Sequence, residues 1–212
     1  MKSSTLLKCL MLASLSLAGG CRGLGYLGYL FAPAMPDKYE EAEFGGLAKH
    51  SVAIVIYADP DAQYEYPHAR LDLAGRLGAE LQQNVKDIRV TDPRKVVRYQ
   101  DENLDWDAAD RTKLGKDFGV DYVLYISLAK YTMREPGSEY LYRGEIIADV
   151  AVHQVSLPER QSRVFVLNGF RVSHPPEAVP ADNDILVRTF ADAEFATRLA
   201  KKFYRHKLPK EE

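Results

Sequence analysis

Cysteine, tryptophan and long apolar runs are all scarce in this sequence. It has two cysteines and one tryptophan among 212 residues, so disulfide bonds cannot supply most of the stability and the fold must rest on apolar packing. The apolar run from Cys9 to Ala18 spans about ten residues, half the length that a membrane-spanning helix needs. These absences exclude a disulfide-rich scaffold and favour an ordinary globular domain.

A basic excess and the common catalytic motifs are also missing. Lys and Arg number 28 against 30 Asp and Glu, a net charge of −2, which does not favour nucleic-acid binding. The Gly-x-Ser-x-Gly, His-Glu-x-x-His, phosphate-loop and Cys-x-x-Cys motifs are absent. The sequence therefore gives no support for the common hydrolase, zinc-binding or nucleotide-binding functions. We expect no nucleic-acid partner, no catalytic residues, no metal and no cofactor.

The amino-terminal residues have the pattern of a lipoprotein signal. Lys2 and Lys8 give a positive start, and the apolar run ends in the small residues Ala18-Gly19-Gly20 directly before Cys21. This pattern resembles the lipobox of bacterial lipoproteins, in which the cysteine thiol is joined to a diacylglycerol and the chain is cut before it. The resemblance implies a signal peptide at residues 1–20 and acyl chains such as palmitate on Cys21.

Two alternatives to lipidation fit the sequence less well. A secreted chain with an unmodified Cys21 would carry an unpaired thiol outside the cytoplasm. An uncleaved membrane helix from Cys9 to Ala32 would bury Arg22 near its centre, at about 2.5–3.5 kcal/mol. Lipidation avoids both difficulties, and two or three acyl chains give lasting attachment. We therefore expect a lipid-anchored protein of the cell envelope that faces the periplasm. Because Arg22 rather than Asp follows the cysteine, the outer membrane is favoured over the inner one.

The apolar patterns predict a single α/β (α+β) domain with a mixed central sheet flanked by helices. The predicted order is β-α-β-α-α-β-β-β-α, with a lipidated tether at residues 21–49, the domain at residues 50–207 and a tail at residues 208–212. Strands are expected at "SVAIVIY", "DIRVTD", "VDYVLYISLAKY", Tyr140–Val155 and Arg163–Val172. Helices are expected at His68–Val85, after a cap at Asp92 followed by Pro93, at Asp107–Phe118 with Gly119 as its left-handed cap, and at Asp184–His206.

Three details of this prediction concern exposure. The segment Ala58–Pro67 is expected to be a loop, and His174-Pro175-Pro176-Glu177 is expected to be a rigid exposed loop. The last helix is expected to turn one apolar stripe inward: Leu186, Phe190, Ala193, Ala196, Leu199, Ala200 and Phe203.

Two stretches and the element order resemble a known family. The phrase "LGKDFGVDYVL" at residues 114–124 and the closing "FATRLAKKFYRH" are similar to periplasmic lipoprotein domains related to the curli-secretion protein CsgG. The amino-terminal domain of TolB and the penicillin-binding-protein activator LpoB share that architecture. The turn at Pro136-Gly137 is too short for the long insertions of the curli channel, and we expect no propeller. The resemblance implies a small envelope-anchored binding domain.

Tyrosines and acidic residues give the candidate sites. Thirteen tyrosines are present, a residue type enriched at recognition surfaces, and Tyr64, Tyr66 and Tyr140 are the candidate partner-binding residues. A weaker ligand or metal candidate lies after the first strand, where Asp59, Asp61, Glu65, His68 and Asp72 gather. Turn and helix-start chemistry explains the same residues more simply.

Two further groups of charged residues have simple explanations. Glu145, Asp149 and His153 share the polar face of one strand, where Arg163 or Arg171 on the neighbouring strand could pair with them. A basic carboxy-terminal group could touch anionic lipid or glycan, or complement a helix C-terminus: Arg198, Lys201, Lys202, Arg205, His206, Lys207 and Lys210.

The leading functional hypothesis is a noncatalytic lipoprotein that binds a protein partner in the cell envelope. It would serve as an accessory subunit of a transport, secretion or wall-building assembly. The first alternative is a small-ligand, metal-binding or enzymatic domain with its site around Asp59–Asp72. The second is an oligomeric structural component that forms a ring.

The lipid anchor can be tested at Cys21. We predict that Cys21→Ser abolishes fatty-acid labelling and leaves an unprocessed precursor, because only the thiol can receive the diacylglyceryl group. Labelling of wild type and variant with a radioactive fatty acid checks this expectation. Normal labelling of Cys21→Ser would refute the lipoprotein interpretation.

Overall fold

A five-stranded mixed sheet organises the fold in the computed structural model, which describes residues 37–180 and 184–209. Its strands are β2 (Ser51–Tyr57), β3 (Arg89–Val90), β4 (Tyr122–Arg134), β5 (Leu141–Gln154) and β6 (Arg163–Pro180). Two short strands, β1 (Tyr39–Glu40) and β7 (His206–Lys207), pair separately. The predicted signal peptide, Cys21 and most of the predicted tether and tail lie outside the described residues.

Helices separate or flank these strands. They are α1 (Pro60–Glu65), α2 (Ala69–Asn84), α3 (Pro93–Glu102), α4 (Arg111–Phe118), α5 (Glu159–Ser162) and α6 (Ile185–Ala200), and a 3₁₀ turn follows at Lys201–Phe203. The predicted α+β fold class and the predicted order of the main elements are confirmed. The additional elements in the described residues are β1, α1, α5 and β7.

The strand order in the sheet is β3-β2-β4-β5-β6. Strand β2 runs parallel to β3 and β4, because helices connect these strands, whereas tight connections make β4, β5 and β6 antiparallel. The β-branched run of β2 is buried from Val52 to Ile56, as expected of a strand covered on both faces.

Two apolar cores cover the sheet. On one face, α2 and α6 pack Leu73, Leu77, Phe195 and other apolar side chains against the strands. On the other face, α3, α4 and Trp106 enclose a smaller cluster around Ala53, Val55 and Val123. Strands β2 and β4 therefore contribute alternate residues to two different cores.

Local capping explains where several helices begin and end. The side chain of Asp92 accepts a hydrogen bond from the amide of Arg94 before Pro93 starts α3, and Asp110 caps α4 in the same way. Gly119 ends α4 with φ +66°, the left-handed conformation that glycine adopts without strain. The predicted caps at Asp92 and Gly119 are confirmed.

Three sequence-based expectations of local structure are wrong. The segment predicted as a loop at Ala58–Pro67 contains α1, because Asp59 accepts a hydrogen bond from the amide of Ala62 and Pro60 favours the first helical turn. The segment His174–Glu177 is part of β6 and pairs with β5 through His174. Helix α6 ends at Ala200, six residues before His206.

The compact unit runs from Tyr39 to Lys207. Within the stretch assigned to the tether, Leu47 is fully buried, and the ring of Phe44 lies 5.7 Å from that of Phe165. The fold therefore includes residues 39–49 in addition to the predicted residues 50–207, and the boundary at residue 50 falls inside the unit.

Helix α6 approaches the sheet closely at Gly144 on β5. A Cβ there would meet the Cβ of Ala191 on α6 at 2.5 Å and the carbonyl oxygen of His174 at 3.1 Å. We predict that Gly144→Ala lowers the free energy of unfolding by about 1–3 kcal/mol, measured by urea denaturation. Gly75→Ala is the matched control, because nothing lies within 4 Å of its added Cβ; it should stabilise α2 by up to about 1 kcal/mol. Equal stability of the two variants would show that α6 does not pack this closely.

Candidate partner-binding surface

Large apolar and aromatic side chains are exposed where the long strands end. We call this set the apolar end: Tyr64, Tyr140, Val179, Ile185, Leu186 and Phe190. Scattered exposed apolar residues are ordinary on protein surfaces, but a group on adjoining segments marks a site of interaction.

Strand pairing and helix packing bring these segments to the same end of the sheet. Tyr142 pairs with Val179 and Leu141 with Pro180, so the β4–β5 turn that carries Tyr140 lies beside the end of β6. The amide of Met133 near the end of β4 donates a hydrogen bond to the hydroxyl of Tyr66, which places α1 at this end as well.

Helix α6 begins at the same place. Its Phe190 ring lies 5.7 Å from the ring of His174 on β6, and Asp184, just before α6, is close enough to Tyr66 to raise the pKa of its hydroxyl further. The first two turns of α6 therefore carry Leu186 and Phe190 outward beside the ends of β4, β5 and β6.

Two of the three candidate tyrosines are exposed. Tyr64 is 89% and Tyr140 is 76% exposed. Tyr66 is 3% exposed, so its selection as a contact residue is wrong: its ring packs edge-on against Tyr131 at 5.1 Å. Burial, together with a hydrogen bond to Glu65 at 3.0 Å, raises the pKa of the Tyr66 hydroxyl. Tyr66 is a core residue whose contacts with Tyr131 and Met133 hold the end of α1 against β4.

Two residues of the apolar end lie on the opposite face of α6 from the one predicted. Leu186 and Phe190 were expected to point inward, but they are 68% and 55% exposed. The buried stripe of α6 is instead Val187, Ala191, Phe195 and Leu199, although the predicted Ala196, Leu199, Ala200 and Phe203 are buried. The sequence shows two apolar stripes in the first half of this helix. Because only one of them can face the core, the other must be exposed.

The acidic candidates near the first strand serve different structural purposes. Asp59 caps α1 and accepts a hydrogen bond of 2.7 Å from the amide of Ala62, and Asp61 lies in the first turn of α1. His68 precedes α2, and Asp72 lies in the first turn of α2. Within residues 37–180 and 184–209, no three His, Cys, Asp or Glu side chains are grouped to hold a metal ion.

An open groove lies between α2 and α3. It has a volume of about 510 Å³, and Asp72, Arg76 and Arg94 contribute charges of both signs to its walls. Asp59 and Asp61 do not line it. The groove therefore brings only one of the predicted acidic residues to a concave surface.

The polar strand face pairs internally, as expected. Glu145 forms ion pairs with Lys130 and with Arg171, the latter at 3.7 Å. The hydrogen bond from Lys130 is the main reason that the pKa of Glu145 lies below its usual value. Asp149 accepts a 2.7 Å hydrogen bond from the amide of Gly169.

His153, the third member of this face, is neutral near pH 7. Its Nδ1 lies 3.0 Å from the hydroxyl of Ser162, which donates to the carbonyl of Glu159. Ser162 is therefore the acceptor for a proton on Nδ1. Burial, with help from Arg111 and Arg163, lowers the pKa of His153 to about 4.

A buried carboxyl group was missed by the sequence analysis. Asp192 on α6 is 2% exposed, and its Oδ1 accepts a hydrogen bond from the hydroxyl of Tyr131 at 2.9 Å. Burial raises its pKa to about 6, while Tyr131 and the cations Arg76 and Arg188 oppose the rise. The signal was an acidic residue between Ala191 and Ala193 in an apolar helix, but nothing in the sequence assigns Tyr131 as its partner.

Comparisons with known proteins give structural neighbours of low identity. A lipoprotein from Neisseria meningitidis is 17% identical, with 71% of this chain and 98% of that chain covered and a TM-score of 0.44. A PelC dodecamer from Paraburkholderia phytofirmans is 12% identical, with 79% and 98% covered and a TM-score of 0.43. A protein from Xanthomonas campestris is 11% identical, with 77% and 90% covered and a TM-score of 0.35.

No protein-family model matches the chain, and no curated protein matches it. At such identities and TM-scores, these neighbours assign neither a family nor an activity. The resemblance to the curli-secretion protein, TolB and LpoB stays a prediction. In the part of the chain that the structure describes, no helix has the length and apolar character needed to cross a membrane.

Asp192 and His153 predict opposite effects of pH on stability. The pKa of Asp192 rises from 3.8 to about 6 on folding, so its contribution is present below pH 4 and is lost as pH rises to 6. The pKa of His153 falls from 6.5 to about 4, so its contribution is present above pH 6.5 and is lost as pH falls. The changes in stability with pH that these two groups cause therefore oppose each other in the wild type.

We predict that Asp192→Asn makes stability rise from pH 4 to pH 6, because the opposing contribution of Asp192 is removed while that of His153 remains. Relative to wild type, the change across this window should be of the order of 3 kcal/mol. Urea unfolding at several pH values measures it. His153→Gln is the matched control and should give the opposite slope; parallel pH profiles for wild type and Asp192→Asn would show that Asp192 does not titrate in this window.

Proposed function

We propose that this protein is a noncatalytic, lipid-anchored component of the bacterial cell envelope that binds a protein partner through the apolar end. The observation that carries the proposal is the exposure of Leu186 and Phe190 on a helix whose other face is fully packed. The lipobox-like segment that ends at Cys21 supplies the anchor. The domain then faces the periplasm, with the outer membrane favoured.

The composition of the apolar end suits a protein ligand. Aromatic and large aliphatic side chains are the residues that supply most of the binding energy at protein interfaces. Phe190, Tyr64 and Tyr140 are aromatic, and Leu186 and Ile185 add aliphatic area beside them. A small polar metabolite would make little use of such a surface, whereas a partner with a complementary apolar face would cover it.

The noncatalytic part of the proposal rests on the structural roles of the ionisable candidates. Asp59 is occupied as a helix cap, Glu145 is paired with two cations, and Asp192 is buried against Tyr131. None of these arrangements leaves an ionisable side chain aimed at an enclosed cavity, as an acid–base catalyst requires. The role we propose is an accessory subunit of a transport, secretion or wall-building assembly.

A homo-oligomer is the second candidate, and the free edge of the sheet favours it. Strand β6 is 18 residues long and lies at the edge of the described sheet, and Val164 and Val166 on it are exposed. Long exposed edges pair readily with other chains. Light scattering of the purified protein separates a ring or other oligomer from a monomeric binding module.

Photo-crosslinking tests the apolar end. We predict that a photoreactive residue at Leu186 links the protein to one envelope partner in native membranes, whereas the same residue at exposed Lys95 does not. Leu186→Asp combined with Phe190→Asp should weaken capture of that partner roughly 30-fold, as expected when two interface anchors are lost. Affinity purification from native membranes measures capture.

The competing ligand-site hypothesis has its own variant. Combined replacement of Asp59, Asp61, His68 and Asp72 by Ala should lower stability by about 1–2 kcal/mol, through the lost cap, and leave capture unchanged. If this variant stays folded and membrane-bound but loses its function while the Leu186 and Phe190 variant keeps it, the site around Asp59–Asp72 is the functional one and our proposal is wrong.

A further inference from the structure

An acidic segment at the start of the compact unit lies against a basic segment at its end. We call Tyr39–Glu43 the acidic strap and Lys201–Lys207 the basic segment. Two ion pairs and one histidine–carboxylate contact join them in antiparallel order: Glu41 with Arg205 at 3.0 Å, Glu43 with Lys202 at 2.6 Å, and Glu40 with His206 at 3.4 Å. The charges of the strap are therefore complementary to those of the basic segment, residue by residue.

Backbone and ring contacts complete the association. Strand β1 pairs with β7, Tyr39 with Lys207 and Glu40 with His206. The guanidinium of Arg205 also lies over the ring of Tyr39, 4.6 Å from its centre. Arg205 thus contacts the strap twice, through a carboxylate and through an aromatic face.

The strap is held less firmly than the residues that follow it. Its side chains are largely exposed, and 61% of Arg205 and 77% of Glu41 face solvent. Exposed ion pairs contribute little stability and are screened by salt. From Phe44 onward the chain is fixed, because Phe44 packs against Tyr122 and Phe165 and Leu47 is fully buried. The strap can therefore open without unfolding the core.

Opening would uncover a dense group of cations. Lys201, Lys202, Arg205 and Lys207 lie within seven positions at the end of α6. A cluster of this kind next to a membrane anchor is attracted to anionic phospholipid headgroups. The strap carboxylates occupy the positions that lipid phosphates would take, and an anionic surface would at the same time repel the strap.

The predicted anchor brings this group to a membrane. Cys21 and Tyr39 are separated by about 17 residues, which can span at most roughly 60 Å. The lipid surface that holds the anchor is consequently within reach of the basic segment.

We propose that the basic segment is a binding surface for anionic phospholipid headgroups and that the acidic strap occupies it until such a membrane displaces the strap. The inference rests on the lipid anchor of the proposed function. Exchange of the strap carboxylates for lipid phosphates keeps the cations neutralised in both states. The released strap lengthens the link between anchor and domain by up to about 17 Å, since five residues are freed.

Hydrogen exchange on the full lipidated protein in vesicles tests the proposal. Strand β1 in the strap pairs with β7 through Glu40 and His206, so exchange of the β1 and β7 backbone amides reports opening of the strap. We expect exchange in this region to be about fivefold faster on vesicles of equal parts phosphatidylcholine and phosphatidylglycerol than on phosphatidylcholine alone. A change of this size corresponds to the electrostatic attraction of one Lys or Arg side chain to anionic headgroups. Flotation with both vesicle types is measured in the same samples.

Three variants distinguish displacement of the strap by lipid headgroups from a nonspecific loss of the strap's contacts. Glu40→Gln, Glu41→Gln and Glu43→Gln together should give fast exchange on both vesicle types. Lys202→Gln with Arg205→Gln should also give fast exchange but abolish the response to phosphatidylglycerol. Lys95→Gln with Lys113→Gln removes the same charge from exposed sites elsewhere and should behave as the wild type.

Two results would overturn the inference, and both can be distinguished from the result that would show the lipid anchor to be absent. Equal exchange on the two vesicle types, with flotation intact, shows that headgroups do not displace the strap. Opening by soluble polyglutamate but not by phosphatidylglycerol vesicles shows that the surface binds an acidic peptide instead. Failure to float with phosphatidylcholine vesicles overturns the lipid anchor, and with it both this inference and that part of the proposed function.

Discussion

The close packing of α6 against the sheet at Gly144 is the contact on which the other features depend. The absence of a side chain at Gly144 lets Ala191 approach so closely that a Cβ on β5 would lie 2.5 Å from it. This approach sets the rotation of α6, because Ala191 must point straight at β5. With Ala191 fixed, Val187, Phe195 and Leu199 also turn inward, while Asp192 is carried under Tyr131 and buried with it.

The same rotation decides what α6 presents to solvent. A helix that is apolar on both sides in its first two turns can bury only one stripe, and the Gly144 contact selects Val187 and Ala191. The orientation of α6 therefore leaves Leu186 and Phe190 exposed, although both side chains are apolar. The 3₁₀ turn that follows α6 carries Lys202 toward Glu43, so the strap contact also depends on where the helix lies.

The parts of the fold that were predicted from sequence have short-range causes. Continuous β-branched runs identified β2 and β4, and Asp92-Pro93 and Gly119 marked helix ends, because each signal acts within a few residues. The strap was not predictable, since β1 is two residues long and pairs with residues near the other end of the chain. Tyr64 and Tyr66 look alike in sequence, yet only the tertiary contact with Tyr131 buries Tyr66. Of the candidate surface, the tyrosines were therefore partly predictable and the exposed stripe of α6 was not.

The two proposed binding surfaces lie at opposite ends of one rigid element. The apolar end includes the first turns of α6, whereas the basic segment begins directly after its last turn. A helix of 16 residues is about 24 Å long, so a protein can bind at Phe190 without covering Lys202 or Arg205. Partner binding and membrane contact can therefore occur together, and the strap can open or close without disturbing a partner held at the other end of the helix.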